Sequence, residues 1–145
     1  MDKKYSELLE LLERRVALAQ QYLTLTEKIG ESISADDENA LLGAIRNREP
    51  LIKEIDMANR ESDEALRGTL PREESGSAKV DELLEAAREI YVKCLTLDRD
   101  NKKKIKALMT KATSDSRELQ KRREGINKYA QSDYIFAPSV LDERQ

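Results

Sequence analysis

Few side chains in this sequence could do chemistry. Glu82, Glu85 and Glu89 share a face if their segment is helical. Carboxylates placed so can hold a metal pair, but such sites complete their ligand set with Glu-x-x-His pairs, and the chain has no histidine. The better reading is a solvated face laced by pairs such as Glu85 with Arg88 and Glu89 with Lys93. Asp36, Asp37 and Glu38 are consecutive and diverge around a helix, so they suit the positive end of a helix dipole better than a cation. The single cysteine, Cys94, falls at an apolar position and reads as a buried structural thiol. Without histidine there is no Ser-His-Asp or Cys-His nucleophile and no Cys/His zinc site. Five scattered glycines cannot build a phosphate cradle. The expectation is a protein that binds rather than catalyses, with no cofactor and no metal.

The elements that would position a binding surface are helices. Charged residues make up 38% of the 145 positions and aromatic residues 4%, with few prolines and glycines, a profile of long amphipathic helices with thin apolar seams. Leu9, Leu12, Val16, Ala19, Leu23, Ile29 and Ile33 step by threes and fours, predicting a first helix over about 2–33, close to a coiled-coil spacing. Ser34 with Asp37 three residues on resembles a capping box. A second helix is expected over about 37–70 through Leu41, Ile45, Arg48, Ile52, Ile55, Asn59, Ser62 and Leu66, with Pro50 bending it without dividing it. Its stripe thins at Asn59 and Ser62. Residues 71–77 read as a loop, with Ser77 capping the next helix. Val80, Leu84, Ala87, Tyr91, Cys94, Asp98, Asn101, Ile105, Leu108, Leu119 and Ile126 keep the stride, predicting a third helix over about 78–129, roughly 75 Å long. That length exceeds either partner, so part of it should project, with Ser114–Ser116 as a place where it could break.

The expected fold is therefore all-α, an antiparallel three-helix bundle of coiled-coil-like character over 1–130, followed by an irregular tail over 131–145. The tail carries Tyr134, Ile135, Phe136, Val140 and Leu141, more apolar bulk than a disordered segment normally holds. Two readings stay open. The tail folds back onto the third helix, or helix and tail together form an apolar surface for a partner helix.

Residues 99–128 carry eleven Lys/Arg against four acids, a net +7, leaving −10 on the rest. Nucleic-acid binding is the weaker interpretation, because no aromatics interleave and no helix-turn-helix signature is present. Complementing the acidic first two helices, or docking to an acidic partner, fits the pattern as well. The N-terminus has no signal-peptide core and no apolar run reaches membrane-spanning length, so the expectation is a soluble, cytoplasmic protein. A structural homodimer whose tail completes a shared core is the main alternative to a client-binding function.

The chain resembles the FlgN-type flagellar export chaperones, and more distantly the FliT-type ones. The likeness rests on the leucine-glutamate-rich start from Tyr5 to Glu13, the stretch from Leu41 to Ile55, Asn101 followed by Ile105 and Leu108, the Tyr129 segment, and the ending from Val140 to Arg144. Pro50 and the stretch from Ile135 to Pro138 depart from the family's pattern. The resemblance implies a cytoplasmic export chaperone of the flagellar type III system. It would bind the C-terminal amphipathic helices of hook–filament junction (hook-associated) proteins and deliver them to the export apparatus. By the same resemblance, client contacts would fall on Leu119, Ile126, Tyr134, Ile135, Phe136, Val140 and Leu141. Docking to the export apparatus would fall on Tyr129, with Tyr134 as runner-up.

Overall fold

The computed structural model describes residues 3–69, 74–111 and 117–131, with side chains over 3–69, 78–108 and 123–131. Among these residues there are four helices and no strand: α1 (Lys3–Ser34), α2 (Glu38–Thr69), α3 (Glu74–Lys111) and α4 (Arg117–Gln131). The fold is an all-α helical bundle, and no described helix is long and apolar enough to cross a membrane. Pro50 lies inside α2, which continues through it as one helix, as its unbroken apolar period requires.

α1 is the central element. α2 returns antiparallel along it and α3 runs parallel to it, while α2 and α3 scarcely approach each other. A helix with two neighbours must bury a broader face than a seam of one residue per turn. Leu8, which extends the expected stripe backwards, is buried, and Arg15, Leu18 and Tyr22 are buried in addition to that stripe, whereas Leu9 and Val16 are only partly covered. The core forms three layers along the axis. Leu8, Leu12 and Val80 close one end. Leu18, Tyr22, Ile55, Ala58, Ala87, Tyr91 and Cys94 fill the middle. Ile29, Ile33, Leu41, Ile105, Ile126 and Ala130 fill the end that carries the α1–α2 turn.

That turn is built differently from the expected Ser34 cap. Ser34 is the last residue of α1. Asp36 takes a left-handed conformation, φ 55°, its N–H donates to the Ile33 carbonyl, and the Asp37 N–H donates to the Ser32 carbonyl. This pattern of paired bonds satisfies the last carbonyls of α1. Asp37 then serves a second purpose: its carboxylate accepts from the Ala40 N–H at 3.0 Å and caps α2. One residue ends one helix and starts the next, which is why so short a connection suffices.

The third segment needs two corrections. α3 begins at Glu74, so Ser77 lies within it and does not cap it. The single helix expected over 78–129 is two helices, α3 ending at Lys111 and α4 starting at Arg117. No long arm projects from 117–131. α4 packs back on α3 and on the first half of α2, so the apolar stripe through Ile126 is covered by the protein's own core.

Candidate functional site

The seat of α4 holds the densest side-chain chemistry in the described chain. Arg48 sits on the α2 stripe and Asp98 on that of α3, each buried, and they meet across the gap between those helices. Arg48 Nη1 donates to Asp98 Oδ1 at 2.6 Å and Nη2 to Oδ2 at 3.2 Å, a bidentate pair. Arg48 Nη2 also donates to the Tyr22 hydroxyl from α1. Its guanidinium lies 4.4 Å from the centre of the Tyr22 ring and 5.6 Å from that of Tyr129. α4 closes the layer: the Tyr129 hydroxyl donates to Asp98 Oδ1 at 2.7 Å, and the Lys102 ammonium lies 5.0 Å over the same ring. Burial works against the Arg48 charge, but Asp98, with Tyr22 and Tyr129, more than offsets it and holds the guanidinium protonated.

Apolar packing and one ion pair complete the seat. Ile126 and Ala130 enter the core beside Ile33, Leu41 and Ile105. Gly125 lets the α4 backbone approach α2, because a methyl there would meet Leu42 Cδ1 at 2.8 Å. Arg123 pairs with Glu38 at 2.9 Å, one place where the basic segment does complement the acidic second helix. A recess of about 320 Å³ opens at this end, floored by Ile33, Leu41, Ile105 and Ile126, with Leu108 half exposed on its side.

A second polar layer crosses the opposite half. Arg15, 1% exposed, donates through Nη1 to the Ser62 hydroxyl at 2.8 Å and to Asp63 at 2.9 Å. Its other two nitrogens lack partners among the described residues, as do both amide atoms of Asn59 and the Tyr91 hydroxyl. This layer is half satisfied where the Arg48 layer is complete.

The sequence-derived site residues scatter across this picture. Ile126 is in the core, 2% exposed, on the floor of the recess at the α1–α2 end. Tyr129 is partly buried with its hydroxyl committed to Asp98. Leu119 belongs to α4, but its side chain is outside the described residues, as are Tyr134, Ile135, Phe136, Val140 and Leu141. Cys94 is 1% exposed and matches the structural-thiol reading. Glu85 pairs with Arg88 at 3.3 Å on a partly exposed face, as a solvated face should. The sequence reading missed Arg15 and Tyr22. It placed Arg48, Asn59, Ser62, Asp98 and Asn101 on the stripes without seeing that they pair or face one another there. Asn101 donates its amide to the Thr26 carbonyl at 3.2 Å and packs against Gly30, where a methyl group would meet its Oδ1 at 3.0 Å.

This arrangement defines a helical bundle whose last described helix is held by a polar latch. No protein-family model matches the chain, and neither a curated protein nor a solved structure matches it.

The buried acids of the core set an alkaline limit. Burial, with the Asp98 charge adding and Arg48 opposing, pushes the Cys94 thiol up to about 12. Burial likewise raises the Tyr22, Tyr91 and Tyr129 hydroxyls. Groups that lose protons more readily when unfolded contribute stability below their unfolded values, and it is lost as pH rises toward their folded ones. Stability should hold to about pH 9 and then fall, with a slope approaching roughly 1.4 kcal/mol per pH unit for each titrating group. Urea midpoints at pH 7.5, 9 and 10.5 measure this. Cys94→Ala should flatten the first part of the decline, and a midpoint constant to pH 10.5 would refute it.

Proposed function

We propose that the protein is a flagellar type III export chaperone that binds the C-terminal amphipathic helices of hook–filament junction proteins and passes them to the export apparatus. The observation that carries this reading is how α4 is held. A 15-residue amphipathic helix lies in the gap between two longer ones. It is anchored by Ile126 and Ala130, a tyrosine latch and a rim ion pair. This is helix-in-groove recognition enacted within one chain, and the same bundle chemistry suits a client helix. The half-exposed Leu108 beside the recess at the α1–α2 end offers apolar surface to such a client. The resemblance of the chain to the FlgN-type chaperones supplies the client class. Docking through Tyr129 requires α4 to leave its seat.

A pull-down with the full chain and with a 1–130 truncation, read by mass spectrometry, tests the proposal. Hook-associated subunits should be recovered by the full chain and lost with the truncation, while helicity by circular dichroism stays nearly unchanged. Recovery of the protein alone, together with a dimer by sedimentation, would replace the chaperone with a self-assembling bundle.

A further inference from the structure

We propose that the groove between α2 and α4 takes an amphipathic helix of a partner protein, one whose apolar stripe is flanked by acidic residues. Leu42, Ile45, Glu49 and Ile52 step by three, four and three along α2, so they form one edge of that helix. The edge lies beside the core-facing stripe through Leu41, Arg48 and Ile55, and its three apolar members are only partly covered. Tyr129 of α4 forms the opposite wall, and the space between them is about 420 Å³. From Ile45 to Ile52 is two turns of helix, about 10 Å, the repeat at which a helix laid alongside presents its own apolar residues. α4 keeps its seat as one wall of the groove.

Charge names the occupant. Arg46 from α2, Lys102 from α3 and Lys128 from α4 converge on the rim, against one carboxylate there, that of Glu49. Beneath them Arg48 and Asp98 neutralise each other. Three helices thus bring one cation each to a single groove in a chain whose net charge is −3. Arg46 and Lys128 are exposed, and neither enters an ion pair or side-chain hydrogen bond among the described residues. Arg99, Lys103 and Lys106 stand on the same face of α3 as Lys102 and extend the positive field beyond the rim. Such a field draws an acidic partner into encounter and fixes its register. Nucleic acid fits the groove less well. Its aromatic ring, that of Tyr129, is already engaged by Arg48 and Lys102, which leaves no platform on which a base could stack. The groove is a different surface from the recess beside Leu108, and the assignment does not rest on the chaperone reading: failure to recover hook-associated subunits would leave it standing.

The probe is a synthetic peptide of about 21 residues, three heptads with Leu at a and d and Glu at e and g. Its counterpart carries Lys in place of Glu. Each is titrated into the isotope-enriched full chain and followed by amide chemical shifts. The Glu peptide should shift residues 42–52 and 125–129, and the Lys peptide should not. Arg46→Glu combined with Lys128→Glu should weaken the Glu peptide about tenfold or more. Lys28→Glu combined with Lys93→Glu makes the same change of net charge at exposed cations elsewhere, and should weaken it less than about threefold. Circular dichroism checks that each variant keeps its helicity. No shift at about 1 mM peptide, equal binding of the Lys peptide, shifts confined to other surfaces, or equal losses in the two double variants would overturn the proposal. Tighter binding of a single-stranded oligonucleotide at the same residues would assign the groove to nucleic acid and overturn it. Shifts over 42–52 on concentrating the chain alone would assign it to a second copy, with the same consequence.

Discussion

Asp98→Ala should lose about 3–5 kcal/mol of folding stability, because it removes one partner of a buried ion pair and strands the other. The Arg48 side chain is 9% exposed and the Asp98 side chain 3%. Without the carboxylate, the guanidinium keeps only the Tyr22 hydroxyl and two aromatic faces. Tyr129 also loses its acceptor, so α4 is loosened by the same change. Against a typical total of about 5–15 kcal/mol, this is a large share. Combining Arg48→Met with Asp98→Leu should recover most of the loss, since an apolar pair of similar volume avoids desolvating either charge. Urea unfolding followed by circular dichroism decides the matter. A loss for Asp98→Ala below about 1 kcal/mol, the range of exposed pairs, would mean that water reaches the layer and the pair is not structural.

Ile126→Asp should release α4 without unfolding the rest. A carboxylate at a position 2% exposed, surrounded by Ile33, Leu41 and Ile105, has no partner there, and isolated burial costs several kcal/mol. The penalty need not be borne by the whole bundle, because α4 packs mainly on α2 and α3, whereas those helices are joined through α1 over most of their length. The cheaper response is local opening. Amide exchange over 117–131 should rise by about two orders of magnitude or more, the factor that roughly 3 kcal/mol implies, with α1 and the middle of α3 still protected. Cooperative loss of protection throughout would show instead that α4 is integral to the bundle.

The helical elements were legible because their evidence is periodic. The stripes through Leu12 and Ile29, and through Leu41 and Ile55, are local properties of the chain, and Pro50 did not disturb them. The division of the last segment was half legible: Ser114–Ser116, between the end of α3 and the start of α4, was marked as a place where the helix could break, but not that the second part packs back on the first. Ala112 and Ser116 keep the apolar-or-small stride that a continuous helix would show, so periodicity alone cannot mark where a chain turns back. Gly125, which permits the return, stands in a run rich in Lys and Arg that reads as exposed helix. The polar layers were half legible. Arg48, Asn59, Asp98 and Asn101 stood on the stripes as polar residues, and that was the signal, but the complements of Arg48, Asp98 and Asn101 lie 50 to 75 residues away on another helix. Arg15 and Tyr22 fell off the narrow stripe altogether, because the face of α1 is widened by its two neighbours, a fact of packing that no single segment contains.

The two arginine layers also determine how α1 and α2 can align. Arg15 meets Ser62 and Asp63, and Tyr22 meets Arg48. Leucine and isoleucine seams alone tolerate a slide of one heptad, since one apolar residue replaces another. Here a slide by seven residues in one sense would set the Arg15 cation against Ile55, and would carry Arg48 from Tyr22 to the neighbourhood of Arg15 itself. Charge would face hydrocarbon at one level and like charge at the other. The hairpin of α1 and α2 is therefore keyed at two heights, and a bundle of generic leucine-rich composition has a single alignment in which both keys turn.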